Sequence, residues 1–131
     1  MTVQLSDLVR NARLDAIETV IGASPTLEIR TGAQPASCAA ADSGSVLATI
    51  ALPSDWMLAA SGGSKALSGT WTDASADATG TAGHFRIKSG ATTHLQGSVG
   101  TSAADLICDS TAFTAAQSFT ISAFTLNDPN S

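Results

Sequence analysis

The chain reads as a mainly β domain, a β-sandwich or jelly-roll-like barrel of six to eight strands preceded by one N-terminal α-helix. Three observations predict this. Apolar residues recur at helical spacing only near the start; short alternating runs of β-branched and aromatic residues follow; and clusters of Gly, Ser, Asp and Pro separate those runs. The 131 residues fit one domain, with residues 1–22 as the helix and 23–131 as the β part.

Residues 5–21 place Leu5, Leu8, Val9, Ala12, Ala16, Ile17, Val20 and Ile21 at steps of three and four, the apolar stripe of an amphipathic helix. Ser6 or Gln4 precedes the stripe, Asp7 stands where the helix dipole favours an acid, and Gly22 follows where helices end in a left-handed residue. The stripe is wide enough to be buried on more than one side. The helix is therefore expected to serve assembly as well as the fold.

Residues 26–31 alternate, with Leu27 and Ile29 on one face and Glu28 and Arg30 on the other, and predict the first strand. Residues 46–52 predict the second, ended by Pro53, after which Asp55-Trp56-Met57-Leu58 reads as a turn or short strand and Gly62-Gly63 as a loop. Residues 67–72 bring Trp71 into a third strand, and residues 73–83, rich in Ala, Asp, Thr and Gly, read as a surface loop. Residues 84–88 alternate again, Phe85 and Ile87 facing one way and His84, Arg86 and Lys88 the other; residues 93–99 return with Leu95, Gly97 and Val99 in phase. A two-residue turn would pair Phe85 with Gln96, so a loop of three or five residues is expected. Residues 105–109 and 119–126 are the last strand candidates. In the latter, Phe119 and Ile121 fall on the opposite face from Phe124 and Leu126, which predicts burial on both faces or a bulge.

Composition narrows the function. With 44% hydrophobic and 13% charged residues the chain can bury a core, although much of its apolar content is alanine, which buries little area. The net charge is −5, and the basic residues Arg10, Arg13, Arg30, Lys65, Arg86 and Lys88 are scattered, so no nucleic-acid partner is expected. Cys38 and Cys108 read as reduced thiols, with a single long-range disulfide as the alternative. The start lacks a basic segment followed by an apolar stretch, and no apolar run approaches the ~20 residues of a membrane span, so neither export nor a membrane partner is expected.

Catalytic chemistry has no foothold in the motifs. His84 and His94 are the only imidazoles and fall on the polar face of their hairpin, where solvated or interface roles are the common ones. A metal site would need Asp73, Asp77 or Asp105 as a further ligand, and no H-x-H, H-E-x-x-H or C-x-x-C spacing supports one. G-x-S-x-G, the P-loop and G-x-G-x-x-G are absent. The expectation is a protein without enzymatic activity, cofactor or metal. Trp56 and Trp71 read first as core; the sharper reading makes Trp56, with Met57, an interface anchor.

Several strings carry a resemblance: R-N-A-R-L-D-A-I-E from Arg10, L-P-S-D-W-M from Leu52, S-G-T-W from Ser68, G-H-F-R-I-K from Gly83 and T-H-L-Q-G-S-V from Thr93. Together they resemble small uncharacterised structural proteins of the heads and tails of tailed bacteriophages and prophages. The resemblance implies a virion protein, with a capsid cement or decoration protein as the first expectation and a tail or adsorption component with receptor or carbohydrate binding as the alternative. The implied partners are copies of the chain itself and the major capsid protein or another virion protein. Leu8, Arg10, Arg13, Ile17, Trp56 and Met57 are the expected interface residues.

Overall fold

The computed structural model describes residues 3–128. One helix, α1 (Asp7–Ile21), precedes nine strands: β1 (Thr26–Thr31), β2 (Val46–Ala51), β3 (Ser64–Ala66), β4 (Trp71–Asp73), β5 (Gly80–Ser89), β6 (Thr92–Gly100), β7 (Leu106–Cys108), β8 (Ala112–Phe113) and β9 (Phe119–Asn127). They form one curled sheet in the order β2-β1-β5-β6-β7-β9-β3, with β4 on β9 and β8 on β5, so the sheet wraps into a half-barrel. The expected mainly β class and single N-terminal helix are both present. Very short strands such as β8 lack the length that alternation needs to be seen.

The concave face holds the core. Trp56, Trp71, Phe85 and Phe124 form a chain of ring contacts with centroids 5.5–6.1 Å apart, packed among Leu27, Ile29, Leu47, Ile87 and Leu106. Phe113 and Phe119 make a second pair at 4.7 Å. Such pairs contribute roughly 0.5–1.5 kcal/mol each beyond area burial. In a chain rich in alanine these rings supply much of the buried volume.

Two bulges put the correct side chains inside. The β5–β6 turn has only two residues, Gly90 and Ala91, between the paired Ser89 and Thr92, so the expected longer loop is not formed. A bulge supplies the odd parity instead: the register shifts by one between Ile87 and Lys88, His94 becomes the extra residue, and Leu95 pairs with Ile87 and Gly97 with Phe85. Gly90 has φ +61°, as the first position of a type II′ turn requires. In β9 the expected bulge is present. Ile107 pairs with Ala123 and Cys108 with Ile121, so Ser122 is skipped and Phe119, Ile121 and Phe124 are all buried.

The third expected strand is divided. Ser64–Ala66 and Trp71–Asp73 are separate short strands on β9, while Leu67 bridges to Met57. The loop expected over residues 73–83 ends early, because β5 begins at Gly80 and pairs there with Phe113.

Candidate functional site

Three features distinguish the surface: the polar docking of α1, its bare apolar face, and a strap over a charged cluster. Ser6 caps α1 by accepting from the Val9 amide, and Gly22 ends it with φ +93°. Only Leu14 and Ile21 of the helix are buried, with Ile17 half-buried. The remaining contacts are polar. Arg10 donates to the Asp128 and Gly62 carbonyls, the Asn11 side chain accepts from the Gly63 amide, and Asp15 accepts from the Ala60 amide. Lys65, 2% exposed, donates to Asp15 at 2.7 Å and to the Leu58 carbonyl at 2.9 Å, and lies 2.8 Å from Glu18. Burial alone would lower the Lys65 pKa, but hydrogen bonds to Asp15 and Glu18 outweigh it and raise the value. The Lys65 hydrogen bond and the Ala60 amide lower that of Asp15.

Much of the predicted stripe therefore points outward, although Ile17 and Ile21, which belong to it, face the fold. Leu8 is 82% exposed and Val20 73%, with Val9, Ala12 and Ala16 exposed between them. The helix enters the fold by the arc Arg10, Asn11, Leu14, Ile17 and Ile21, an orientation that also brings Asp15 and Glu18 onto the buried Lys65 ammonium. Beside this face, Arg13, Ala16, Ile17, Val20, Ile21 and His94 line a groove of about 300 Å³. Of the expected interface residues, Leu8 and Arg13 are exposed and Arg10 and Ile17 half-buried. Trp56 and Met57 are 0% and 1% exposed, so the anchor expected there is core: the Trp56 indole donates to the Gly22 carbonyl and stacks toward Trp71. Trp71 is equally buried, so neither ring offers a platform for a sugar.

On the convex face, residues 33–45 cross the polar side of β1, β5 and β6 as an irregular strap. Arg86, 1% exposed, donates through Nη2 to the Ser37, Cys38 and Ala40 carbonyls, through Nη1 to Asp42, and through Nε to the Gln96 side chain. Gln96 in turn donates to the Pro35 carbonyl. Asp42 pairs with Arg86, Lys88 and Arg30, and Glu28 with Arg30 and Lys88. Hydrogen bonds from Lys88 first and Arg86 second hold the Asp42 pKa down at about 2. The face expected to be solvated is thus covered. His84 is buried with it, donating from Nδ1 to the Gly32 carbonyl while Nε2 has no partner among the described residues. His94 is the half-buried bulge residue on β6, outside that cluster.

Both cysteines are free. Cys108 is buried, its thiol 3.0 Å from the Ser110 carbonyl, and burial pushes its pKa up; Cys38 lies half-buried on the strap. Among the described residues, no three His, Cys, Asp or Glu side chains are grouped to hold a metal ion, and no helix is long and apolar enough to cross a membrane. The strap could not be read from periodicity, since its order comes from carbonyls bound by one distant arginine. The available signal was the excess of cations on alternate positions of two neighbouring strands, which needs a covering acid.

Comparison with protein-family models, with curated proteins and with solved structures finds no match.

Proposed function

We propose that this chain is a non-enzymatic structural subunit of a tailed-bacteriophage particle, a capsid cement or decoration protein that binds its own copies and a shell protein. The phage assignment rests on the resemblance of the sequence strings. The assembly role rests on one structural observation: α1 is fastened to the body through Arg10, Asn11, Asp15 and Lys65, while Leu8, Val9, Ala12, Ala16 and Val20 face outward. Exposed apolar residues scattered singly need no explanation, but a continuous stripe on a firmly held helix marks a contact surface. Flat contacts of this kind gain strength when many copies bind a repeating lattice. With both tryptophans in the core, the carbohydrate-binding alternative has no stacking ring and is the weaker reading.

The test is to purify particles produced from the genome that encodes the chain and locate the protein by cryo-electron microscopy. It is expected as a regular outer array on the shell with α1 at the contact. Absence from the particle, or contact only through the strap, would overturn the proposal. A Leu8→Ser, Val20→Ser variant separates binding from folding: it should melt like the parent and fail to join the array.

A further inference from the structure

A separate surface lies where the half-barrel does not close. β6 meets β7 only at Val99 and Gly100, and β9 meets β7 only from Ile121 to Phe124. Past those points β6 and β9 run on with no strand between them among the described residues. The opening is a cleft of about 340 Å³ lined by Phe85, Leu95, Phe124 and Leu126, with Gln96, Asp105, Thr125 and Asn127 at its rim.

Both walls of this cleft are strand edges. The Ser98 amide donates to the Asp105 carboxylate and so points away from β5. Alternate residues of a strand turn their backbone groups to the same edge, which directs the Gln96 N–H and C=O into the cleft. On the opposite wall the Phe124 carbonyl accepts from Leu67 and the Asp128 amide donates to Gly63, both on the β3 side. The same alternation turns the Asn127 backbone toward the cleft. Neither Gln96 nor Asn127 has a strand partner on that side among the described residues.

The chemistry of the walls determines the occupant. Backbone donors and acceptors at strand spacing on two facing edges are satisfied together by one extended backbone, and not by a helix, whose own groups are already paired. The floor supplies the selectivity. Leu95 and Leu126 are half-buried beside the Phe85 and Phe124 rings, so alternate side chains of an entering strand meet an apolar surface. Because β7 is parallel to β6 and antiparallel to β9, a strand continuing its line can pair with both walls. We propose that this cleft accepts an extended segment of another polypeptide, parallel to β6 and antiparallel to β9, carrying large apolar side chains at alternate positions.

The experiment uses the full chain and a displayed library of random nine-residue peptides, with recovered sequences synthesised and titrated into the labelled protein. The expected peptides carry apolar residues at every second position, and binding slows hydrogen exchange at the Gln96 and Asn127 amides. Asn127→Pro removes the N–H facing the cleft and also the Asn127 side chain that accepts from the Ser64 hydroxyl, so it is compared with Asn127→Ala, which loses only the latter: the proline variant should bind several-fold to about tenfold more weakly than the alanine variant. Three results would each overturn the proposal: no peptide is recovered, protection maps to α1 or the strap instead, or Asn127→Pro binds as tightly as Asn127→Ala.

Discussion

Lys65 on β3 and Asp15 on α1 form an ion pair of 2.7 Å whose two ends live in different solvents: the ammonium is 2% exposed and the carboxylate 49%. Removing one end is therefore not equivalent to removing the other. Lys65→Met leaves Asp15 and Glu18 free to turn toward water and should cost about 1–2 kcal/mol. The double change Asp15→Asn, Glu18→Gln leaves a buried ammonium and should cost about 3–5 kcal/mol. Urea unfolding checks the order; a larger loss for Lys65→Met would mean that the ammonium is not the costly partner.

Asp42 predicts an acid limb in the stability curve. Its pKa falls from 3.8 to about 2 in the folded chain, so its contribution is complete above about pH 4 and disappears as pH drops through 2. A shift of that size corresponds to at most about 2.5 kcal/mol, reduced to roughly 1 because the side chain is one-third exposed. Thermal melts of Asp42→Asn should lie below the parent at pH 6 and meet it near pH 2. Parallel curves over that range would assign the acid limb to other carboxylates.

The docking of α1 separates two leucines that sequence periodicity does not rank correctly. Leu14→Ala empties a buried site and should cost about 2–5 kcal/mol, while Leu8→Ala, at an exposed site, should stay within about 0.5 kcal/mol of the parent. Guanidinium unfolding midpoints decide between them. Equal losses would mean that Leu8 packs on the body.

Gly83 is the extra residue where the β1–β5 register shifts between Arg30 and Thr31. A Cβ there would lie 2.1 Å from the Gly32 carbonyl oxygen, a backbone atom that cannot rotate away. Gly83→Ala should destabilise by about 1–3 kcal/mol or more and loosen the nearby His84 hydrogen bond to the same carbonyl. A melting temperature equal to that of the parent would show that the backbone shifts freely.

The strands were legible wherever side chains alternate over five or more residues, as at Leu27 and Ile29 or Phe85 and Ile87, because burial of one face writes the period into the chain. The β9 bulge was signalled by Phe124 falling out of phase, whereas the phase of Leu95 pointed to a longer loop and is met instead by a two-residue turn with a bulge at His94. What could not be read was the orientation of α1. Its apolar count favours the face with Leu8 and Val20, but its docking brings Asp15 and Glu18 onto Lys65, some fifty residues away in sequence. The convex face was hidden for the same reason. Arg86 looks like any outward residue of a strand until the carbonyls of Ser37, Cys38 and Ala40 arrive over it.

The placement of the two indoles has a practical consequence. The chain has no tyrosine, and Trp56 and Trp71 stand 6.1 Å apart inside one aromatic cluster. Intrinsic fluorescence and near-ultraviolet dichroism therefore view the molecule through a single window at its centre. Trp71 is screened from solvent, while Trp56 is tied to the end of α1 through Gly22, next to the groove residue Ile21. Emission that reddens reports an opened core; emission that stays constant while a partner docks on Leu8 and Val20 reports a contact made without repacking. The same spectrum thus distinguishes a failed fold from a failed assembly without an added label.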